Sequence, residues 1–147
     1  MDSSLHFSDV PNEWAICLQS DCPLAASCLR HHAGTLAPDD LKHHECVLPG
    51  ARTGGACSAF VANHPVRLAR GMKGLLKGID YGKSMVMRKQ LYNIFGSKSQ
   101  YYRYCEGRWP IPPEQQARVA DLFRQNGIAS EPQYDDYFEG FYFRNEV

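Results

Sequence analysis

The sequence predicts a mainly α-helical protein in which a cysteine-containing N-terminal lobe packs on a helix-turn-helix-like tri-helical unit. Apolar residues recur at helical spacing in the middle and C-terminal parts of the chain, and glycines stand where those periodic stretches end. No stretch alternates apolar and polar residues in the manner typical of a strand. Hydrophobic residues make up 44% of the 147 residues and charged residues 22%, a composition that favours a globular fold over disorder.

Three parts of the chain differ in composition and charge. Residues 1–66 form a cysteine-rich lobe with three Lys/Arg and seven Asp/Glu, residues 67–130 form the basic helical unit, and residues 131–147 form an aromatic acidic tail. The segment 67–108 alone carries ten Lys/Arg and two Asp/Glu, although the net charge of the whole chain is zero. This concentration of positive charge favours an anionic partner, but a basic surface facing an acidic lobe would give the same pattern.

The N-terminal lobe is predicted to contain one short helix. Asp21 as a cap and Pro23 in a first turn predict a helix over 23–32. The following residues 34–57 are rich in Gly, Pro, Thr and His and predict a loop. Beyond the lobe, apolar and basic residues interleave over 66–78 and predict a second helix, although its three glycines disfavour helical backbone.

Three successive helices are predicted in the middle of the chain. Apolar residues fall at the spacing of one helix face in the first and the third of them. Ser97 is the predicted N-cap of the second, and Gly96, Gly107 and Gly127 follow the three helices in turn. The predicted ranges are 83–95, 98–106 and 113–126.

The acidic tail carries aromatic residues at helical spacing over 134–143, which predicts one more short helix. Acidic residues lie between the aromatic ones. We expect this tail either to dock on the basic middle of the chain or to bind a protein partner.

Residues 91–128 resemble the helix-turn-helix of phage-repressor-like regulators, in which the second helix of the pair enters the major groove of DNA. With Gly96 as the turn glycine, Tyr102 and Cys105 are expected to face the core. Basic and amide side chains on the outer face suit phosphates and base edges. The predicted nucleic-acid-binding residues are Lys98, Ser99, Gln100, Arg103 and Tyr104.

One residue departs from the helix-turn-helix pattern. Tyr92 takes the position in the first helix where such units usually carry a small residue, and its ring could push the two helices apart. The same sequence also fits a packed bundle of three helices with a solvated basic surface. A tri-helical fold can bind protein as well as DNA, because fold does not determine function.

Clustered cysteines are the second functional signal. Cys17, Cys22 and Cys28 are spaced C-x4-C-x5-C, and Cys57 follows after the predicted loop. Four thiolates could hold Zn²⁺ in tetrahedral geometry or bind an iron–sulfur cluster. The spacing is wider than the C-x2-C of zinc ribbons, and separate buried thiols without a metal would also fit it.

Cys57 is the preferred fourth ligand, because the apolar residues after it would place the site under the core. Cys46, His43 and His44 are the alternatives. Neighbouring histidines on a helix point in different directions, so at most one of each such pair could join a given site. Cys105 lies far along the chain and is expected in the core of the helical unit.

Several short motifs together resemble a family of small bacterial proteins known only as a domain of unknown function. They are Cys17, Cys22-Pro23, Cys28-Leu29-Arg30, Cys57, FGSKSQYYRY at 95–104 and LFRQNGI at 122–128. The likeness spans nearly the whole chain, but it implies no activity, ligand or catalytic residue. Cys46 is not among the recurring cysteines of that pattern, which supports Cys57.

The remaining expectations are absences. No nucleophile elbow, phosphate-binding loop, dinucleotide fingerprint or HExxH motif occurs, so we expect a binding protein and not an enzyme. The start lacks a signal sequence, and no apolar run could cross a bilayer, which predicts a cytoplasmic protein without a membrane partner. The first hypothesis is binding of duplex DNA in a regulatory role. The alternatives are a protein-interaction module with a structural metal, or an iron–sulfur or redox protein.

Overall fold

The computed structural model describes residues 4–144, and the chain divides into two compact units. The N-terminal unit runs to Pro65 and includes Phe143 and Arg144, whereas the C-terminal unit is Val66–Tyr142. The described residues form four α-helices and two antiparallel sheets of two strands each. The fold is therefore α-rich but mixed, and the expected absence of strands is wrong. No helix in the described part of the chain is long and apolar enough to span a bilayer.

The N-terminal unit is largely irregular. Its single α-helix begins at Leu29, later than predicted, because Cys28 has extended backbone and forms a bridge with Ala62. A short hairpin lies within the segment predicted as a loop. The regular elements are the 3-10 turns Phe7–Asp9, Ala25–Ser27 and Pro49–Ala51, the helix α1 (Leu29–Thr35), and the strands β1 (Arg52–Thr53) and β2 (Ala56–Cys57).

A small core holds this unit together. Trp14, Ile16 and Leu29 are almost wholly buried, and the indole N–H of Trp14 donates to the carbonyl of Arg144 at 2.8 Å. Gly34 lets α1 approach the backbone of the preceding segment, since a Cβ there would collide with the carbonyl oxygen of Cys17. The unit therefore depends on close backbone packing as much as on apolar side chains.

The helix predicted over 66–78 is wrong. This segment forms a strand, β3 (Val66–Arg70), followed by turns. Gly71 ends the strand with φ of 83°, in the left-handed region where glycine is favoured. The glycines that weakened the helical pattern thus mark the turns after a strand.

The helix predicted in the tail is also wrong. Residues Asp136–Gly140 form β4, which pairs antiparallel with β3. The register places Glu139 opposite Arg67 and Asp136 opposite Arg70. The two arginines lie over the rings of Tyr137 and Phe138 and form no ion pair with these acids in the described part of the chain. The acidic tail therefore lies against the start of the basic segment as a strand, because aromatic residues favour the extended conformation.

The three central helices are confirmed to within two residues at each end. They are α2 (Tyr81–Phe95), α3 (Lys98–Cys105) and α4 (Pro113–Gln125). The carboxylate of Asp80 accepts from the N–H of Lys83 at the start of α2. The helices and β3 share one core, whose buried members are Ala69, Met72, Leu75, Met87, Leu91, Phe95, Tyr101, Ile111, Val119, Leu122, Phe123 and Tyr134.

Candidate nucleic-acid interface and thiol cavity

The turn between α2 and α3 consists of two residues. Gly96, with φ of 101°, reverses the chain where α2 ends. The hydroxyl of Ser97 then accepts from the N–H of Gln100 at 3.1 Å and caps α3, as predicted. Helix-turn-helix units usually have a turn of about three residues. One residue fewer rotates α3 by about 100° around its axis relative to that pattern.

This rotation changes which tyrosines are buried. Tyr101 is 3% exposed and Tyr102 is 41% exposed, so the expectation that Tyr102 faces the core is wrong. Tyr104 is half-buried and packs on Phe95 and Trp109, with ring centroids 4.7 and 5.3 Å apart. Tyr104 was expected to point outward, and that orientation is wrong for the same reason.

Tyr92 packs in the contact between α2 and α3. Its ring lies edge-on to Tyr101 at 5.2 Å and tilted against Tyr102 at 6.3 Å. The aromatic rings thus fill the space between the two helices. Burial raises the pKa of Tyr101, so this tyrosine is neutral in the core.

Four of the five predicted contact residues are on the solvent side of α3. Lys98, Ser99, Gln100 and Arg103 are exposed. Among residues 4–144, neither Lys98 nor Arg103 forms an ion pair, although the guanidinium of Arg103 lies 5.4 Å from the ring centroid of Trp109. The two cations are therefore accessible to an anionic partner.

An open groove of about 650 Å³ lies on another side of α3, where Tyr101, Tyr102, Cys105 and Glu106 line it. Lys73, Lys77 and Arg88 line it together with Tyr102 and Glu106. Other cations of the basic segment have local partners, since Arg108 pairs with Glu106 at 2.9 Å and Arg67 lies over the ring of Tyr137. Part of the positive charge of the basic segment is thus gathered beside α3, and part is engaged elsewhere.

The predicted cysteine ligands meet in the N-terminal unit. Cys17, Cys22, Cys28 and Cys57 line a single cavity of about 20 Å³. They come from three places in the chain: the loop before the second 3-10 turn, the residue before α1, and β2. The fifth cysteine of the unit, Cys46, is exposed and does not line this cavity.

The histidine alternatives are not at the cavity. His43 is exposed, and His44 packs against Phe7 with ring centroids 5.6 Å apart. The histidine that does line the cavity is His31. As placed, no three His, Cys, Asp or Glu side chains among residues 4–144 form a group that could hold a metal ion.

The thiols are close enough to influence one another electrostatically. Burial raises the pKa of the Cys17 thiol above its ordinary value, and negative charge on Cys28, Cys22 and Cys57 would raise it further. Because its pKa is raised, the Cys17 thiol is more stable in the protonated form when no cation lies beside it.

A buried arginine lies at the same cavity and was missed from the sequence. Arg30 is 1% exposed. Its guanidinium donates to the carbonyls of Ala59, Ala15 and Arg144 at 2.7, 2.7 and 2.8 Å and lies 4.5 Å over the ring of Trp14. Burial lowers the pKa of Arg30, although a guanidinium stays protonated in proteins.

A second arginine contributes an unpaired donor. Arg52 lines the cavity, and its Nε is buried without a hydrogen-bond partner among the described residues. Its Nη2 lies 3.4 Å from the carboxylate of Asp21. Because buried N–H groups are nearly always paired, the free Nε–H of Arg52 is available to an acceptor in the cavity.

Comparison with known proteins gives one match. A family model described as a family of unknown function matches residues 1–143, which confirms the expected likeness to an uncharacterised family. No curated protein and no solved structure matches the chain. The site geometry is consequently the basis for any functional conclusion.

Proposed function

The chain belongs to DUF6078, a family of unknown function, and we propose that it is a cytoplasmic regulatory protein that binds duplex DNA through α3. The observation that supports this most is the exposed face of α3. A short helix is anchored on α2 by the buried Tyr101, and its solvent side carries Lys98, Ser99 and Arg103. In this proposal the protein binds and performs no chemistry.

The side chains of α3 suit the two kinds of contact that a DNA-binding helix makes, namely contacts to phosphates and contacts to base edges. Lys98 and Arg103 can bind phosphates or the O6 and N7 acceptors of guanine, and Ser99 can donate to either. Gln100 is less well placed, because its side-chain oxygen lies against Gly96, where a Cβ would collide with it. It can pair with an adenine edge only after its side chain swings outward.

Sequence-independent affinity would come from the groove beside α3. Lys73 and Lys77, which are exposed, and Arg88, which is partly buried, line that groove, and accessible cations neutralise phosphates along a duplex. Tyr102 is an exposed residue of α3 that lines the groove, and its hydroxyl is suited to a contact with the DNA backbone. In this proposal Tyr102, which is exposed, takes the contact role that the sequence assigned to Tyr104.

We expect the purified protein to bind duplex DNA with an affinity that falls steeply as salt rises from about 50 to about 200 mM. Replacing Lys98→Ala should weaken binding and reduce the slope of log affinity against log salt by about 1 unit, because one phosphate contact is lost. Replacing Arg103→Ala should weaken binding about tenfold or more, as for loss of a base or phosphate contact. Fluorescence anisotropy with a labelled duplex measures both changes.

Arg124→Ala is the matched control. Arg124 is an exposed arginine of the same unit, on α4, and pairs with Asp121. The Arg124→Ala substitution should leave both the affinity for DNA and the slope of log affinity against log salt unchanged. Absence of binding at the lower salt, or equal losses for the α3 variants and the α4 control, would show that α3 is not a DNA-binding helix.

A further inference from the structure

We propose that Cys17, Cys22, Cys28 and Cys57 bind one Zn²⁺ ion, and that Arg30 and Arg52 stabilise the resulting anionic centre. This site lies within the N-terminal unit and does not depend on the DNA-binding proposal. The first support is that four of the five cysteines of that unit line one cavity. Cys17 and Cys57 are far apart in the sequence, so the fold and not local spacing brings them together.

The size of the cavity favours a single ion over a cluster. Its volume is about 20 Å³, which is room for about one water-sized sphere. A single zinc ion with four sulfur ligands at about 2.3 Å fits such a space. An iron–sulfur cluster would instead insert several iron and sulfide atoms between the thiolates, and the metal content of the purified protein distinguishes it from zinc.

The charge around the cavity is the second, independent support. A zinc ion with four thiolates carries a net charge of −2, which is costly to bury without nearby cations or donors. The guanidinium of Arg30 is held at the cavity by three backbone carbonyls, and its charge opposes that of the centre. The buried Nε–H of Arg52 has no other partner among the described residues and can donate to a thiolate sulfur, as donors around metal ligands commonly do.

Binding requires the thiols to move and to lose protons. The side chains as placed do not form a ready ligand group, so the Sγ atoms must turn inward until roughly 3.8 Å separates each pair in a tetrahedron. The proposal requires rotation of each cysteine side chain about its Cα–Cβ bond, with adjustment of the irregular backbone where rotation is not enough. The reaction is Zn²⁺ plus four thiols giving one tetrathiolate centre and four released protons, and no oxidant or reductant takes part.

The test uses the full-length chain, purified without a metal-affinity tag or chelator. We expect a colourless protein with about one zinc per chain by elemental analysis. Each of Cys17→Ser, Cys22→Ser, Cys28→Ser and Cys57→Ser should lower the zinc content, whereas the control Cys46→Ser should retain it. Brown protein containing iron and sulfide, protein without metal, or equal loss of zinc in the Cys46→Ser control would overturn the proposal.

A second measurement remains decisive if the variants fail to fold. Wild-type protein stripped of metal is titrated with Co²⁺, which substitutes for zinc and shows thiolate-to-metal charge transfer and intense visible bands in a tetrahedral sulfur site. We expect these bands to saturate at about one equivalent and to disappear when Zn²⁺ is added. Weak bands of octahedral cobalt, or none, would exclude a four-thiolate site.

Discussion

Arg30→Met is expected to destabilise the N-terminal unit by about 4 kcal/mol. The substitution removes three hydrogen bonds to backbone carbonyls. The carbonyl of Arg144 keeps its bond from Trp14, but those of Ala15 and Ala59 lose the donor described for them, and a buried acceptor left unpaired costs about 1–3 kcal/mol. Removing a buried charge also removes its desolvation cost. When a buried charge and its partners are all replaced by apolar groups, the change can therefore be nearly neutral. Backbone carbonyls cannot be replaced, so the unpaired acceptors outweigh that gain.

Denaturant unfolding followed by the fluorescence of Trp14 measures this effect. A Trp109→Phe background leaves Trp14 as the reporter, since the chain has two tryptophans. Lys42→Met is the control, because Lys42 is an exposed cation of the same unit. It should change the free energy of unfolding by less than about 0.5 kcal/mol. An Arg30→Met protein as stable as this control would mean that the three hydrogen bonds do not hold the unit together.

Arg30→Lys separates the geometry of the group from its charge. The three carbonyls belong to distant parts of the chain, at Ala15, Ala59 and Arg144, and the planar guanidinium reaches all of them at once. A lysine ammonium carries its donors on one atom and cannot span the same acceptors. The free energy of unfolding should therefore recover only partly in Arg30→Lys. Such a result would show that the guanidinium stabilises the unit by bonding to three separate segments at once.

The sequence was sufficient to predict α2, α3 and α4 because their signals are local. A cap such as Ser97, a stop glycine such as Gly96 and a periodic apolar face all act within one or two turns of the helix. Pairing of β3 with β4 has no such signal. Val66 pairs with Gly140, which lies far along the chain. Whether residues 66–70 form a strand or a helix therefore depends on a distant partner and not on local signals.

The candidate sites were predictable to different degrees for the same reason. Cysteines are uncommon and their spacing is visible, so the set at the thiol cavity could be named without coordinates. Arg30 and Arg52 could not, because arginine is mostly exposed and is fully buried almost only when paired. Which face of α3 is buried depends on the length of the turn before it. A turn one residue shorter than expected buries Tyr101 in place of Tyr102.

Tyr101→Ala and Tyr102→Ala test that exchange directly, since the two residues are adjacent and chemically identical. Tyr101, 3% exposed, should cost about 3–5 kcal/mol in the free energy of unfolding, as for other large aromatic side chains removed from a core. Tyr102, 41% exposed, should cost less than about 1 kcal/mol while weakening DNA binding. Denaturation followed by far-ultraviolet circular dichroism gives both values. A three-residue turn beginning at Gly96 would bury Tyr102 and reverse the order. The larger loss of stability therefore identifies the tyrosine that anchors α3, and the smaller loss identifies the one that is free to contact DNA.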